Sequence, residues 1–277
     1  MKKLSFLVAL LLLTSLSFAQ KKEKIKGSKI VTITIKELEN FNTIEVEDNI
    51  EVYFVKGEKT SIEIEADDNL HDAINYGVTA KTLKINTTKE VSGAKKFAVR
   101  INYSDSLKTI IGKNESKLHA LAELTLSQVT IKNFDKSQSF LNVKADKFTL
   151  QLSDKSEAEI NVKAQIANME LTKDAELKAL VNAEETKVDL YQKSSAEIEG
   201  DTQLAKIRLD NNAQLIAKKF TAKEADITTE SYTKASLTAT KSITIAASGK
   251  SEIELLGEPK IDLVTFTQSA ILYKKEK

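Results

Sequence analysis

The sequence predicts an all-β fold, a β-solenoid whose C-terminal half completes one coil in about 19 residues. Three observations lead to this prediction. A short word of Ser or Ala, any residue, then Leu or Ile recurs nine times after position 115, apolar residues alternate with polar ones between the words, and short polar junctions separate the segments. Alternation with period two is typical of strands. A unit of this length buries its apolar side only against neighbouring units.

The amino terminus, MKKLSFLVALLLLTSLSFAQ, has the three parts of an export signal: a basic start, an apolar core and a small-residue exit at Ala19. Its apolar core is shorter than the roughly 20 residues that a membrane-spanning helix needs. We therefore predict a cleaved signal over residues 1–19, with an uncleaved anchor as the alternative, and no membrane span in the mature chain. The mature chain is expected in the periplasm, at the cell surface or outside the cell.

The composition excludes several classes of function. Without the two lysines of the signal, 39 basic residues face 40 acidic ones, which gives no electrostatic footprint for nucleic acid. The absence of cysteine excludes thiolate chemistry and disulfides. The two histidines, His71 and His119, stand in different contexts, so we expect surface or turn residues rather than a metal or catalytic site. No cofactor motif is found, and no cofactor is expected.

Residues 27–115 are rich in strands but less regular than the rest. Apolar and polar residues alternate in VTITIKE, IEVYFVK and FAVRINY. ADDNLHDAI is the one segment here that predicts a helical turn, with Asp67 or Asp68 as its N-terminal cap. No linker rich in Gly, Ser or Pro separates this part from residues 116–277, so we predict a single solenoid domain over residues 20–277.

The repeats occupy residues 116–277. We expect the small residue of each word at a tight inward corner, and the Leu or Ile two places later stacked on its counterpart in the next coil. Nine coils would make a rod of about 43 Å. Chance recurrence of so loose a word is the alternative, but the intervening alternation repeats in phase with it. The words are Ser116-Leu118, Ser139-Leu141, Ala158-Ile160, Ala175-Leu177, Ala196-Ile198, Ala213-Leu215, Ala235-Leu237, Ser251-Ile253 and Ser269-Ile271.

Three consecutive words have glutamate as their middle residue: Glu159, Glu176 and Glu197. If the words stack, these side chains form an acidic ladder with a spacing of about 5 Å, which repels unless lysines or a cation intervene. One hypothesis is a weak stripe for Ca²⁺ or a cationic partner. The alternative, which we favour, is a solvated edge balanced by neighbouring lysines such as Lys178. No other metal site and no catalytic residue is predicted.

A long segment of the first half resembles a known family. FNTIEVEDNIEVYFVKGEKTSIEIEADDNLHDAINYGVTAKTLKI is similar to the opening of the secreted Bacteroidetes family named putative auto-transporter adhesin, head GIN domain. The shared pattern is a leading Phe, a V-x-F strand, a Lys-Gly turn and a strand that ends in A-D-x-N-L. LLGEPKIDL and QSAILYKK resemble the family's closing strand and last coil. The resemblance implies a right-handed parallel β-helix over the mature chain, with no catalytic residues and no established molecular function.

The expected function is non-catalytic and adhesin-like, through contact of the long side surface with an envelope or extracellular protein or with a glycan. The alternative is a carbohydrate-active β-helix enzyme, a polysaccharide lyase or hydrolase, which would cluster Asp, Lys and Arg on one outer face. The absence of Trp, with only six Tyr, argues against sugar-stacking platforms. The tripeptide DSL around Ser106 resembles the O-glycosylation acceptor of Bacteroidetes, which would place this serine on an accessible turn.

Overall fold

The fold is a β-solenoid, as the repeats predict. The structure, a computed structural model, describes residues 22–120 and 122–275. Strands make up 70% of the described residues and helix 2%. Parallel strands about 19 residues apart form about nine turns of the solenoid. The predicted export signal, residues 1–19, lies outside the described residues.

The N-terminal part contains short strands and one 3-10 helix, η1. Its elements are β1 Lys24–Lys26, β2 Val31–Glu37, β3 Thr43–Val46, β4 Glu51–Lys56, β5 Ser61–Asp67, η1 Asp68–Ala73, β6 Ile74–Thr79, β7 Thr82–Thr87, β8 Glu90–Ser92 and β9 Phe97–Tyr103. Strands β3 and β4 pair in parallel with β7 and β9. Strand β5 lies antiparallel between β2 and β9, β6 is antiparallel to β7, and β1 pairs with β8. This part is therefore less regular than a stack of coils, as its sequence predicts.

The C-terminal part is built around six long strands, β13 to β18, that each follow most of one coil. Its elements are β10 Thr109–Gly112, β11 Lys117–Ala120, β12 Leu124–Asn133, β13 Gln138–Leu152, β14 Glu157–Leu171, β15 Glu176–Gln192, β16 Ser195–Asn211, β17 Gln214–Thr229, β18 Lys234–Ala247, β19 Glu252–Leu256, β20 Lys260–Phe266 and β21 Ile271–Lys275. Strands β10 and β11 pair with β3 and β4, so both parts share one sheet. From β13 to β17 the first residue of each strand aligns with the first residue of the next, which fixes the repeat at 19 residues.

The repeated words occupy two registers, which corrects the expectation that like stacks on like. Ala158 aligns with Leu177, and Leu177 aligns with Ala196, so the small residue of one word lies beside the large residue of the next. Two neighbouring inward columns run through the coils, and in each coil one column has a small residue where the other has a large one. The interior has a fixed volume to fill, so a large residue in one column requires a small one in the other. The first column contains Ser139, Ala158, Leu177 and Ala196, and the second contains Leu141, Ile160, Ala179 and Ile198.

As expected, one corner of each regular coil places a small residue inward. These residues form a single column, and only some of them are the small residue of a repeated word. These residues are buried: Ser116, Ser137, Ser156, Ala175, Ser194, Ala213, Thr233 and Ser251. Two places earlier, every coil has a residue with φ between 57° and 74°, and these are Asn114, Asp135, Asp154, Lys173, Gln192, Asn211, Ser231 and Gly249. Left-handed backbone turns the chain sharply, and Asn, Asp and Gly tolerate it best. The small residue then fits the inside of the turn.

The 3-10 helix η1 connects β5 to β6 near the N-terminal end, which confirms the predicted helical turn. Leu70 of η1 is fully buried against the core. Asp67 occupies the N-cap position, which was one of the two predicted, but its side chain makes no capping hydrogen bond. Its carboxylate is fully buried and instead accepts hydrogen bonds from the backbone N–H groups of Lys29, Lys95 and Lys96.

Candidate functional site

An open groove runs along one outer side of the solenoid, parallel to its axis, and we call it the lateral groove. It lies between two columns of outward-facing side chains that stand two positions apart on each strand, and it encloses about 290 Å³. The first column contains Glu157, Glu176, Ser195 and Gln214, the second contains Phe140, Glu159, Lys178, Glu197 and Ile216, and the floor contains Ser139, Ala158, Leu177 and Ala196.

The lateral groove follows from strand geometry. Successive side chains point to opposite faces of a sheet, so each buried floor residue has an outward residue on either side of it along the strand. Coils stack at about 4.8 Å, so the five coils from Phe140 to Ile216 extend the groove over about 19 Å. Ser195 is the smallest side chain in the first column, so the wall is lowest in the fourth of these five coils.

Three stacked rings stand at the N-terminal end of the second column. Tyr53, His119 and Phe140 are aligned in register on β4, β11 and β13. The ring centroids of Tyr53 and His119 are 4.9 Å apart, those of His119 and Phe140 are 5.0 Å apart, and both pairs are nearly parallel. Phe140 remains 38% exposed. The stack therefore presents one rigid aromatic ring at the entrance of the lateral groove.

His119 departs from the expectation of a surface or turn residue. It lies on strand β11, half-buried, and its Nε2 atom is buried and makes no hydrogen bond. Burial lowers the pKa of His119 because it disfavours the charged imidazolium, while Glu51 acts to raise this pKa and Lys117 to lower it. The ring is therefore neutral at neutral pH and packs as an aromatic. His71 lies on η1, where its Nε2 atom is 2.8 Å from Thr32 Oγ1.

The acidic ladder predicted from the words does not form as one column, although its three members line the same groove. Glu159 aligns with Lys178, and Lys178 aligns with Glu197, so a lysine separates these two carboxylates. Glu176 lies in the first column, next to Glu157. The words predicted the wrong stacking because they alternate between two registers.

The lateral groove has a net negative charge. Four glutamates line it, and Lys178 is the one lysine among its lining residues. Glu157 accepts a hydrogen bond of 2.9 Å from the Gln138 amide. Within the part of the chain that the structure describes, no three His, Cys, Asp or Glu residues converge to hold a metal ion. The groove therefore offers separate carboxylates for hydrogen bonding rather than a metal cage.

The same two columns continue toward the C-terminal end. A second cleft, of about 480 Å³, lies between them from Gln214 and Ile216 to Tyr273 and Lys275. Here the charges are more nearly balanced, because Lys218 pairs with Glu254 at 2.9 Å and Lys234 with Glu252 at 3.6 Å. The acidic stretch is thus confined to the coils between Phe140 and Ile216.

Ser106 lies outside the lateral groove, on an exposed turn between β9 and β10. Its hydroxyl donates a hydrogen bond of 2.7 Å to the carbonyl of Phe41 and lies 2.8 Å from the hydroxyl of Ser104. O-glycosylation at this serine stays a prediction. Over residues 22–120 and 122–275, the structure contains no helix with the length and apolarity to cross a bilayer.

The aromatic stack is the feature of the groove that sequence reasoning missed. Tyr53 and His119 are far apart in the chain and lie in different parts of it. One signal was available, because Phe140 is the middle residue of its word, as Glu159 and Glu197 are of theirs. Aligning the words by this position places an aromatic ring directly before the glutamates.

Comparison with known proteins gives a family and a fold. The profile described as putative auto-transporter adhesin, head GIN domain, matches residues 40–259. The search of curated proteins finds no match.

Three crystal structures share the fold. Two are described as putative adhesins. The one from Parabacteroides distasonis ATCC 8503 is 19% identical, covers 91% of this chain and 100% of its own, and has a TM-score of 0.69. The one from Parabacteroides merdae ATCC 43184 is 18% identical, covers 91% of this chain and 100% of its own, and has a TM-score of 0.65. The third, described as a putative lipid binding protein from P. distasonis ATCC 8503, has 17% identity over 91% and 96% of the two chains and a TM-score of 0.58. At this identity the likeness shows the solenoid fold and no more.

Proposed function

The chain belongs to the family described as putative auto-transporter adhesin, head GIN domain, and from this premise we propose that it is a non-catalytic, adhesin-like protein of the cell envelope or cell surface. Its ligand is an extended glycan that lies in the lateral groove. The family description supports the adhesin-like part of this proposal. The ligand class is argued from the groove itself.

The observation that carries the proposal is the continuous groove with an aromatic ring at its entrance. The exposed ring of Phe140 offers an apolar face to a sugar ring, and the glutamates and Gln214 offer acceptors and a donor for hydroxyl groups. These groups recur with each coil, so a chain of sugar units meets similar contacts along its length. Four carboxylates against one lysine favour neutral or amino-sugar glycans and disfavour acidic ones.

A polypeptide ligand is less well supported. An extended peptide must satisfy its own backbone N–H and C=O groups, usually by pairing with a free strand edge. The strands under the groove, β13 to β17, are paired with each other on consecutive coils, so their backbone groups are already engaged. A peptide in the groove would have only side chains to bond with.

His119, the imidazole beside the groove, is unsuited to acid–base catalysis. A general acid or base needs a hydrogen-bond partner that orients it and a reacting group within reach. The Nε2 atom of His119 has no such partner, and both faces of its ring are covered by Tyr53 and Phe140. The arrangement suits a structural role in the aromatic stack.

The experiment is a binding screen of the purified protein against neutral, amino-sugar and acidic glycans. We expect binding to the first two classes, and a loss of affinity of at least about tenfold in Ser195→Trp, which fills the groove where its wall is lowest. The matched control is Ser242→Trp, a half-buried serine that faces outward on β18, away from the groove lining, which should bind normally.

Three results would overturn the proposal: no glycan bound, equal binding by Ser195→Trp and the unaltered protein, or selective binding of acidic glycans. A fourth result addresses the enzyme alternative. If incubation with a bound polysaccharide releases new reducing ends or unsaturated sugars, the protein is a hydrolase or lyase and the non-catalytic part of the proposal fails.

A further inference from the structure

The last coil that the structure describes, β20 with β21, leaves part of its core uncovered. Strand β20 pairs with β18 and strand β21 with β19, and within residues 22–120 and 122–275 no strand pairs with their outer edges. Ile261 and Leu263 are the inward residues of β20 and are 37% and 49% exposed, whereas Ile243 and Ile245, directly beneath them, are 1% and 0% exposed. Every residue of β20 is exposed. An apolar strand with a free edge is a template for pairing with another chain.

The two ends of the solenoid differ. At the N-terminal end, Leu70 of η1 is fully buried, and the edge strand β2 aligns Thr32, Thr34 and Lys36 with the inward residues of β5. Ile33 and Ile35 of β2 are 59% and 64% exposed, but they align with Glu65 and Glu63 on the other face of the strand. An apolar open end gains little from docking onto this end, since its apolar residues would meet the polar residues of β2. Two open ends bury each other's apolar residues, and two identical surfaces meet through a two-fold axis.

We propose that two copies of this chain associate through their last coils, with β20 of one copy pairing antiparallel with β20 of the other about a two-fold axis at Ile261. In this register Ile261 lies opposite Ile261, and Lys260 of each copy lies opposite Asp262 of the other. Leu263 lies opposite Pro259, which precedes the strand, so the strand pairing is limited to residues 260–262 and the apolar contact continues through Leu263 and Pro259. Both charged side chains face outward, on either side of the inward Ile261. Each such cross-strand pair joins opposite charges.

The neighbouring registers are less favourable. A two-fold axis at Asp262 places two carboxylates opposite each other, which is repulsive. An axis at Leu263 leaves Lys260 opposite Phe266 and Asp262 opposite Val264, so neither charge finds a partner. Only the axis at Ile261 pairs both charges.

Strand β21 does not extend the contact. Its inward position above Leu255 is occupied by Lys274, whose amine donates to the carbonyl of Gly257, and Lys275 follows. Charges of one sign at a strand edge oppose pairing with a second copy of that edge. The contact therefore rests on β20, and its small size gives a weak dimer whose population depends on protein concentration.

The test is the mass of the purified protein in solution, measured over a wide range of concentration by light scattering or sedimentation. We expect a shift from monomer toward dimer as concentration rises. Leu263→Lys should weaken the dimer by at least about tenfold, because it places a charge in the apolar contact. Leu180→Lys is the matched control, since Leu180 is 43% exposed on the side of the solenoid and should leave dimerisation unchanged.

A charge exchange tests the register. Asp262→Lys places two lysines opposite each other and Lys260→Asp two aspartates, so each single variant should weaken the dimer. The double variant restores opposite charges across the axis and should recover it. The proposal is overturned by a monomer at every concentration, by a mass that keeps growing as in head-to-tail filaments, by a dimer that survives Leu263→Lys, or by a double variant no better than the singles.

Discussion

Asp67 shows how one buried side chain can hold separate parts of the chain together. Its two carboxylate oxygens accept hydrogen bonds from the backbone N–H groups of Lys29 at 2.8 Å, Lys95 at 3.1 Å and Lys96 at 3.0 Å. These residues precede β2 and β9, so the carboxylate fixes where both strands begin beside β5. Burial acts to raise the pKa of Asp67, but these backbone hydrogen bonds outweigh it and hold this pKa below its ordinary value.

We expect Asp67→Asn to lower the melting temperature by several degrees, because the amide places N–H donors where backbone N–H groups already point and leaves one of them without an acceptor. Thermal unfolding followed by circular dichroism measures this. Asp68→Asn is the matched control: Asp68 is exposed and its side chain accepts one hydrogen bond, from the Ser28 hydroxyl, so the melting temperature should hardly change.

The stabilisation that Asp67 gives to the folded protein decreases in acid. The pKa of this carboxyl is lower in the folded protein than its ordinary value of about 3.9 in an unfolded chain. Its contribution to the free energy of unfolding is therefore complete above that value and is lost as pH falls through the folded pKa. The difference in melting temperature between the protein and Asp67→Asn should stay constant near neutrality and shrink below about pH 4. A difference that grows in acid would contradict this assignment.

At the scale of strands, the sequence predicts the fold better than it predicts the stacking. The nine words and the alternation give the solenoid and its repeat of about 19 residues. They do not show which residues lie above one another, because Ala158 and Ala175 begin their words at different positions of successive coils. The steps from Ala158 to Ala175 and from Ala175 to Ala196 are 17 and 21 residues, which together make two coils. The acidic column was predicted wrongly for this reason.

The candidate groove was predictable only in part. Glu159, Glu176 and Glu197 were found by their place in the words, and all three line the lateral groove. The aromatic stack depends on the pairing of β4 with β11, which joins residues 66 positions apart, Tyr53 and His119. Local periodicity carries no information on such a pairing. The capping hydrogen bond expected of Asp67 is absent for the same reason, since its partners lie 28 to 38 residues away.

We expect the alternation of large and small inward residues to be required for stability. Leu177→Ala removes a buried side chain between Ala158 and Ala196, which leaves a cavity that these small neighbours cannot fill. The expected loss in the free energy of unfolding is about 2–5 kcal/mol, measured by urea denaturation. Leu180→Ala, at an exposed position, should change it by no more than about 0.5 kcal/mol.

An exchange of two residues separates packing from composition. Leu177→Ala combined with Ala179→Leu keeps the amino-acid content of the coil but places a leucine between Ile160 and Ile198. It also leaves four small residues adjacent in the other column, from Ser139 to Ala196. Overfilling one column adds strain to the cavity in the other. The double variant should therefore be no more stable than Leu177→Ala. Recovery of stability in the double variant would show that the two columns are interchangeable.

At the scale of the whole molecule, the solenoid divides its surface by role. The side of the rod carries the lateral groove, with glutamates and the ring of Phe140. At the N-terminal end the edge strand β2 places polar residues above the core, whereas the C-terminal end exposes the apolar strand β20. A dimer joined at the C-terminal ends leaves both grooves free, so the two proposals are independent and can fail separately. If both hold, one dimer presents two grooves to the same polymer, and binding gains from multivalency without any new contact.

Adhesin-like binding requires that the rod be exposed outside the cell. We expect protease added to intact cells to digest the protein while a known periplasmic protein is spared. The purified protein is digested in parallel as a control, because closely paired strands resist cleavage until they open locally. The exposed turns with left-handed backbone, such as those at Lys173 and Gln192, are the expected first sites of cleavage, and mass spectrometry of the fragments identifies them. Protection on intact cells, lost when the outer membrane is permeabilised, would exclude direct adhesion to surfaces outside the cell. The ligand of the lateral groove would then be a glycan of the envelope itself.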